Sequence, residues 1–490
     1  MNRKWSFVLL GTSIPSQRET ATAKGASRNL KRLICFFTVL VIALFAQPAA
    51  GQLLTASTSS STNSSGADQA TGVIVRTNLG LSGLQTVCAL NGCLVQGSLD
   101  GTQGLVFLVQ PPQGLSPNIL AATLSLVSGI IDAEPDQLVA LPVTSGAGPF
   151  LTIVPSYLYD QASVSYFGSV VWNGYANQPA AQVINLAKAQ STFQVTGAGI
   201  VADIDTGVDP NHPALQPVLL PGYDFTRNQP GGSEMTDLNG ATGSGCDSCQ
   251  ASFVDQHTAA MLDQQTAAML DQQTAAMLDH TGLAAFGHGT EVLGVVHMVA
   301  PTAQLMPLKA FSANGTGTLS NILRAIYYGV QNHTNIINMS FELGSSSVEL
   351  TQAVNYATTN GVICAASAGN DGLEEVVYPA GLQNSVMGVA STNYFEWRSS
   401  FSNYGDQVVW VAAPGEEIVT TYPFGAYSVT SGTSFTSPMV AGTAALLFSL
   451  QPGINQSSAA SAIAHAEWIG PDLGYGELDV FHAVASLEPR

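Results

Sequence analysis

The chain has 490 residues, 46% of them apolar and 48 of them glycine, which suits a globular protein with a large core and excludes wholesale disorder. Its formal net charge is −19, but residues 1–50 hold 7 of the 14 Lys and Arg and one of the 33 Asp and Glu, so residues 51–490 carry −25. This acidity argues against a nucleic-acid or anionic-lipid partner, and the length predicts more than one domain.

The first 50 residues have the pattern of a secretory signal peptide. The basic patch RNLKR precedes the apolar run LICFFTVLVIALFA and then QPAAGQ, so we expect cleavage near Ala50 or Gly51. The apolar run, residues 33–46, is short for a helix that spans a membrane; a retained anchor is the alternative. We therefore expect a secreted protein with no membrane partner unless the signal is retained.

Residues 51–142 predict a linker followed by a small domain. Residues 51–70 are rich in Ser and Thr and have no core-forming pattern. From 71 to 142, the apolar runs VIVRTNL, CLVQGS and LVFLVQPP precede a helical Ala/Leu pattern and a last strand, which predicts an α+β domain. Cys88 and Cys93 are close enough in sequence for a disulfide in an oxidising compartment. A connector is expected at 143–165.

Residues 166–490 alternate between buried strands and helices. The predicted strands are short, nearly continuous apolar runs, namely GAGIVADIDTG, AQLMPLKAF, TNIINMSF, GVICAASAG, SVMGVAS and VVWVAAPG. The helix candidates between and after them are 288–298, 319–333, 346–360, 434–450 and 456–467. This alternation predicts an α/β fold with a doubly wound parallel sheet, whose functional groups gather beyond the carboxyl ends of the strands.

An insertion at about 228–282 breaks the alternation. From Asp255 it contains three copies of an eight-residue repeat, one DQHTAAML and two DQQTAAML. Eight residues are not a whole number of helical turns, so the apolar residues of successive copies would not line up along one face of a helix. We favour a surface insertion expanded by duplication over a partner-binding helix. Cys246 and Cys249, in CDSC, pair with each other or supply two ligands of a metal site, although no second cysteine pair completes the usual set. Cys364, within GVICAAS, is expected to be a buried thiol.

Ser434 lies in VTSGTSFTSPMVAGTAALLFSL, between a Gly-Thr pair and an apolar helix that begins around Pro438. The simplest interpretation is a helix N-cap, since a serine oxygen commonly accepts from the free first-turn amides. The alternative is a hydroxyl that the turn exposes in the positive field of the helix end. Only other parts of the chain decide between the two.

Three further side chains stand out by their positions. Asp205 ends the strand IVADID, Asn370 follows GVICAASAG, and His288 lies between two glycines at the start of a helix. Taken singly, Asp205 and Asn370 are explained by turn chemistry. The remaining histidines, His212 and His297 among them, are expected to be polar surface or cap residues.

Together these four side chains supply the groups for acyl transfer. A neutral hydroxyl needs an adjacent base, an imidazole takes and returns the proton, and a carboxylate fixes the imidazole tautomer. The Asn370 amide and the Ser434 backbone N–H are donors for the oxyanion that forms. The order Asp205, His288, Ser434 is one of the known chain orders of this triad.

The sequence resembles the subtilisin-like serine peptidases, the subtilases. The stretches that carry the resemblance cover most of 166–490 in family order and are VADIDTGVDPNHPAL, GHGTEVLGVVHMVAP, NIINMSFELG, AASAGNDG, FSNYGDQVVWVAAPGEEI and SGTSFTSPMVAGTAALL. The unit at 71–142, which ends VSGIIDAEPDQLV, is similar to the family's inhibitory propeptide, though much more weakly.

The resemblance implies a role for each matched residue. Asp205, His288 and Ser434 form the triad and Asn370 the oxyanion donor, and the edge of the substrate cleft falls on the matched positions Ser340, Phe341 and Gly344. Calcium is common in the family and the acidic chain has carboxylates for it, but the chemistry requires no cofactor and no ligands are assigned.

Three features depart from the family pattern. The segment from Asp205 to His288 is stretched by the insertion. Three residues separate Ser340 from Gly344, among them Glu342, an acidic residue that alters which side chains the cleft admits. Glu291 stands where the family often has a histidine or a small residue.

We predict a secreted serine endopeptidase that acts on polypeptides through an acyl-enzyme. Its own 71–142 domain is expected as a second partner, with self-processing between that unit and the peptidase domain. The alternative is a secreted binding or structural protein on the same scaffold, without catalysis, although all four catalytic groups are present.

Overall fold

The computed structural model describes residues 70–142, 160–239 and 283–488. They all lie in one compact unit, Ser64–Arg490. The predicted signal peptide, most of the linker and of the connector, the eight-residue repeat, and Cys246 and Cys249 lie outside the described residues.

Residues 70–142 form an α+β unit with a core of its own. An antiparallel sheet of order β2-β3-β1-β4 packs against two helices. The strands are β1 (Val73–Thr77), β2 (Leu94–Ser98), β3 (Val106–Gln110) and β4 (Ile130–Pro135), and the helices are α1 (Gly80–Asn91) and α2 (Pro117–Leu124). Helix α1 ends at Gly92, whose φ of 70° is left-handed, and the Cys88–Cys93 disulfide joins the helix to the chain just beyond it, as predicted. A short strand, β5 (Leu138–Ala140), follows and leaves this sheet.

The segment before the main sheet is a hairpin and three short helices. These elements are β6 (Ser163–Tyr166), β7 (Ser169–Trp172), α3 (Asn173–Ala176), α4 (Pro179–Val183) and α5 (Leu186–Phe193). They pack on the outer side of one core through Tyr175 and Leu186, both fully buried.

The main sheet has eight strands in the order β10-β9-β11-β8-β13-β14-β15-β16, parallel except for β10. Its strands are β8 (Ile200–Asp205), β9 (Tyr223–Asp224), β10 (Gln229–Pro230), β11 (Gln304–Lys309), β13 (Ile336–Met339), β14 (Ile363–Ser367), β15 (Met387–Thr392) and β16 (Val411–Pro414). Three further strands lie outside it, β12 (Thr316–Thr318) and the hairpin of β17 (Ile418–Tyr422) and β18 (Ala426–Thr430). The predicted α/β class with a parallel sheet is confirmed.

Helices cover both faces of this sheet. They are α6 (His288–Val299), α7 (Leu319–Gln331), α8 (Val348–Thr359), α9 (Ser437–Leu450), α10 (Gln456–Ile463) and α11 (Val480–Ala485). One core lies beneath α6, α9, α10 and α11, and the other beneath α7 and α8. Apolar residues on both faces of each strand therefore find partners, which is why the strands lack polar alternation.

Within the described part, Thr433–Leu450 is long and apolar enough to cross a membrane by composition, but 83% of that stretch is buried inside the structure. It is not one helix: a 3₁₀ turn, Thr433–Phe435, precedes α9, so the predicted helix 434–450 starts three residues late. Helix α9 is apolar on all sides, which is typical of a helix at the centre of a globular core.

The expectation for two histidines was wrong. His212 and His297 are buried, at 0% and 1% exposed. His297 Nδ1 lies 2.8 Å from the Tyr175 hydroxyl oxygen, and the His212 ring bonds the carbonyl of Ala426. Burial lowers the pKa of His297 to about 4, so it is a neutral core residue.

The start of the predicted insertion is part of the folded body. Residues 228–239 supply β10, at the edge of the main sheet, and the 3₁₀ segment Glu234–Asn239. Glu234 and Asp237 in that segment are buried. The stretch between Asp205 and His288 is therefore anchored next to both residues before it continues into the repeat.

Candidate active site

Asp205 and His288 meet at one end of the main sheet. Asp205 is the last residue of β8 and His288 the first of α6. His288 Nδ1 lies 2.8 Å from Asp205 Oδ1 and 2.9 Å from Oδ2, and Oδ1 also accepts from the backbone N–H of Thr206 at 2.6 Å. Both side chains are buried, so the carboxylate fixes which imidazole nitrogen carries the proton.

The two segments approach closely because glycines face each other. A Cβ built on Gly289 would lie 2.0 Å from the carbonyl oxygen of Gly207. On the other side of His288, Gly287 has a φ of 97° and no room for a Cβ beside Tyr422. The glycines that flank His288 in the sequence are therefore required by packing and by backbone conformation.

The charges around His288 favour its protonated form. Burial by itself lowers its pKa, but Asp205, together with Glu291 and Asp203, raises the pKa to about 9. Asp203 is fully buried beside Asp205, and that burial raises its own pKa well above the usual value. Its Oδ1 accepts from Asn338 Nδ2 at 2.8 Å.

Ser434 lies in the 3₁₀ turn that precedes α9. Its side chain is 1% exposed, and its Oγ has no hydrogen-bond partner among the described residues. Helix α9 starts only at Ser437, and Ser434 caps neither the turn nor the helix, so the N-cap interpretation is wrong. The turn packs against α6, and the ring of Phe435 lies 5.7 Å from that of His288, centroid to centroid.

Asn370 links the strand end of β14 to the turn that holds Ser434. Its Oδ1 accepts from the backbone N–H of Thr433 at 2.9 Å and from the Thr433 hydroxyl at 2.8 Å. Its Nδ2 donates to the carbonyl oxygen of Pro142 at 3.0 Å. The amide therefore faces a peptide carbonyl that comes from the N-terminal α+β unit.

The last residues of that unit pair with a strand that follows β11 of the main sheet. Strand β5 pairs antiparallel with β12, with Ala140 opposite Thr316 and Leu138 opposite Thr318. The next residue, Leu141, donates its backbone N–H to Gly315 O at 2.8 Å. Strand β12 has no strand pattern in the sequence; its local signal is the glycine pair in ANGTGTL, a sequence typical of a turn.

The predicted cleft residues occupy different environments. Ser340 is buried and its Oγ donates to the carbonyl of Ser434 at 2.9 Å, while Phe341 is 0% exposed and packs against Phe311. Gly344 is exposed. The side chain of Ser340 therefore contacts the turn that holds Ser434, whereas that of Phe341 is part of the core around Phe311.

Glu342 is the acidic departure noted in the sequence. Its Oε2 is buried, has no hydrogen-bond partner in the described ranges, and lies 2.4 Å from the position of a Cβ built on Gly369. Burial, with Asp371 and Glu375 nearby, raises its pKa to about 7. Its effect on which side chains the cleft admits stays a prediction.

No group of three or more His, Cys, Asp or Glu side chains that could hold a metal ion lies in 70–142, 160–239 or 283–488. Structural calcium stays a prediction.

The profile of the Subtilase family matches residues 197–479, more than half of the chain. The chain belongs to the subtilase family. Three relatives illustrate the match. The thermophilic serine proteinase of Bacillus sp. (strain AK1) is 33% identical over 67% of this chain and 71% of its own length, and thermitase of Thermoactinomyces vulgaris is 34% identical over 56% of this chain and 83% of its own length. Subtilisin BL of Lederbergia lenta is 38% identical over 34% of this chain and 64% of its own length.

This subtilase is a serine-type endopeptidase, as predicted. The match begins eight residues before Asp205 and ends beyond Ser434, so all four predicted catalytic positions fall inside it. The N-terminal α+β unit lies outside it.

Proposed function

We propose that this subtilase cleaves polypeptides with Ser434 as nucleophile, His288 as general base and acid, Asp205 as its carboxylate partner and Asn370 as oxyanion donor. The observation that carries the proposal is the 3.0 Å hydrogen bond from Asn370 Nδ2 to a peptide carbonyl, that of Pro142. A carbonyl held at this donor is where an acyl-transfer enzyme polarises its substrate.

The chemistry follows from these groups. Ser434 Oγ attacks the carbonyl carbon as His288 Nε2 takes its proton, and Asp205 stays ionised and stabilises the imidazolium. The oxyanion accepts from Asn370 Nδ2 and from the Ser434 backbone N–H. The C–N bond then breaks, His288 returns the proton to the leaving amine, and water hydrolyses the acyl-enzyme by the same proton transfers.

The first substrate in this proposal is the chain itself, at the Pro142–Val143 bond. Pairing of β5 with β12 fixes the direction and register of the tail, and burial of Val139 and Leu141, each 3% exposed, anchors it. An extended peptide that adds a strand beside the catalytic groups is bound as a substrate would be.

After cleavage the N-terminal unit stays bound and inhibits the enzyme. Arg76 makes a bidentate ion pair with Glu349, whose carboxylate is buried. Glu134 accepts from the backbone N–H groups of Val348 and Glu349 at the start of α8, and Asp136 accepts from the backbone N–H of Ser320 at the start of α7. Carboxylates at two helix N-termini are well placed electrostatically.

Export is the remaining part of the proposal, and it rests on the signal-peptide pattern of residues 1–50. N-terminal sequencing of material from the culture medium tests it together with the processing site. We expect mature protein that begins at Val143, with the 51–142 fragment still bound to it. Active secreted protein that still begins near Gln52 would remove the self-processing step.

The catalytic assignment is tested by expressing residues 51–490 with and without Ser434→Ala and following casein cleavage. We expect the variant to stay uncut at Pro142 and inactive. Equal casein cleavage by the two proteins would overturn the assignment. Labelling by a serine-directed organophosphate gives a second readout, and it should be lost in His288→Ala.

A further inference from the structure

Glu234 is a buried carboxylate that no sequence motif includes. It lies at the start of the 3₁₀ segment Glu234–Asn239, at 0% exposure, between the segment that follows β8 and the first turn of α6. The first of these segments begins directly after Asp205, and the second contains His288.

Two threonine hydroxyls join those segments to each other. Thr206 Oγ1 accepts from the backbone N–H of Gly289 at 2.9 Å, and Thr290 Oγ1 accepts from the backbone N–H of Asp209 at 2.8 Å. Each hydroxyl thus receives a donor from the opposite segment, immediately next to the catalytic pair.

Both hydroxyls then donate to Glu234. Thr206 Oγ1 donates to Oε2 at 3.2 Å, and Thr290 Oγ1 donates to Oε1. Oε2 also accepts from the backbone N–H of Gly287 at 2.7 Å. A hydroxyl has one proton, so the carboxylate orients both hydroxyls and leaves their lone pairs free for the backbone N–H groups.

The carboxylate is itself held in place. The Glu234 backbone N–H donates to Val208 O at 3.1 Å. Three residues on, Asp237 Oδ2 accepts from Lys309 Nζ at 2.7 Å, and the same ammonium group donates to the carbonyl of Thr206 at 2.7 Å. The 3₁₀ segment is therefore fixed to the strand end of Asp205 from two directions.

We propose that Glu234 is a positioning residue, which sets the distance and orientation between Asp205 and His288 by accepting from both segments at once. The inference rests on the proposed triad. Without this acceptor, three buried donors lose their partner and the hydroxyls are free to rotate, so the two segments separate or slide.

The test is to compare Glu234→Ala and Glu234→Gln in the full chain, after self-processing has gone to completion. A chromogenic peptide gives kcat and KM, normalised to reactive Ser434 by active-site titration. Because a 1 Å misplacement in an active site can cost about 100-fold in rate, we expect kcat of the Ala variant to fall about 100-fold with KM changed less than about threefold. The Gln variant keeps an acceptor oxygen for Gly287, so it should recover at least about tenfold of that loss.

A second readout follows the hydrogen bond itself. The low-field proton signal of His288 Nδ1–H should shift or broaden in Glu234→Ala and return in Glu234→Gln. The matched control is Glu477→Ala, which removes another buried carboxylate, 2% exposed, bonded to Thr392 Oγ1 at the end of β15. It should lower the melting temperature while leaving kcat per reactive serine and the proton signal unchanged.

Two results would overturn the inference: a Glu234→Ala kcat within threefold of wild type, or an activity loss that disappears once rates are normalised to titrated Ser434. Ser434→Ala and His288→Ala, assayed in parallel, separate this inference from the proposed function. If both are inactive while Glu234→Ala is fully active, only the role of Glu234 fails; if His288→Ala stays active, the triad itself fails.

Discussion

Replacing Gly289 with alanine puts a methyl group where the backbone of Gly207 already lies. The new Cβ would be 2.0 Å from the Gly207 carbonyl oxygen and 3.0 Å from its nitrogen. Carbon and oxygen atoms that are not bonded make favourable contact only beyond about 3 Å, so the two segments must separate by about 1 Å. The obstacle is backbone on both sides, which cannot rotate away as a side chain would.

That displacement acts directly on the proposed catalytic pair, Asp205 and His288. Asp205 Oδ1 and His288 Nδ1 are 2.8 Å apart, and an added 1 Å takes them beyond about 3.2 Å, the usual limit of an N–H···O hydrogen bond. A misplacement of this size is worth about 100-fold in rate, or about 2.7 kcal/mol of transition-state stabilisation. We therefore expect kcat/KM of Gly289→Ala to fall at least about 100-fold.

The measurement is hydrolysis of a chromogenic peptide by processed enzyme, with circular dichroism to verify the fold. Gly329→Ala is the matched control, since Gly329 lies inside α7 and its new Cβ would meet ordinary contacts at 3.6 Å. That change should leave kcat/KM unaltered and stabilise the helix by about 0.5–1 kcal/mol. Full activity of a folded Gly289→Ala protein would refute the argument that close glycine packing sets the Asp205–His288 distance.

Three further predictions test the proposed oxyanion donor, the proposed base and the proposed inhibition by the N-terminal unit. Asn370→Ala should lower kcat by about 100- to 1000-fold, measured on the same peptide, and a loss below tenfold would contradict its role as oxyanion donor. Because His288 has its pKa raised to about 9 and must be neutral to act as base, kcat/KM should rise with pH up to about that value. Glu291→Gln removes one of the negative charges that raise this pKa, so the rise of kcat/KM should move to lower pH. A rise that stays in place or moves to higher pH would argue against the effect of the Glu291 charge. Leu141→Ala should weaken inhibition by the bound N-terminal unit about tenfold or more in dilution assays, because burying a leucine side chain is worth about 1.5–3 kcal/mol. Leu94→Ala, at an exposed position of the same unit, is the control and should have no effect.

The α/β class and the parallel sheet were predictable because both leave local signals in the sequence. Strands buried on both faces appear as short apolar runs, and the helices between them have apolar residues three or four positions apart. The predicted helices 288–298 and 346–360 differ from α6 and α8 by one or two residues at their ends. Helix α9 was placed too early because Thr433–Phe435 forms a separate 3₁₀ turn, which presents the same composition as the first turn of a helix.

The buried histidines and the role of β12 were not predictable in this way. His297 lies among valines and Met298 on α6, and Tyr175, 122 residues away, gives its ring a buried hydrogen-bonding partner. Likewise, the strand that pairs with β12 is β5, which comes from the N-terminal α+β unit, more than 170 residues earlier in the chain. The sequence around His297 and around β12 therefore contains no sign of Tyr175 or of β5.

The sequence by itself determined which side chains are candidates for the reaction, since Asp205, His288, Asn370 and Ser434 each lie beside a glycine-containing turn at a strand or helix end. The tertiary structure alone decided what holds them together: the glycine contact behind the Asp205–His288 bond, the carboxylate of Glu234 that joins their segments, and the carbonyl of Pro142 at Asn370. The physical reason is the distance along the chain over which each kind of interaction acts. Periodicity and turn chemistry act over a few residues, whereas these contacts join segments 53 to 228 residues apart and exist only after the sheet has brought the strand ends together.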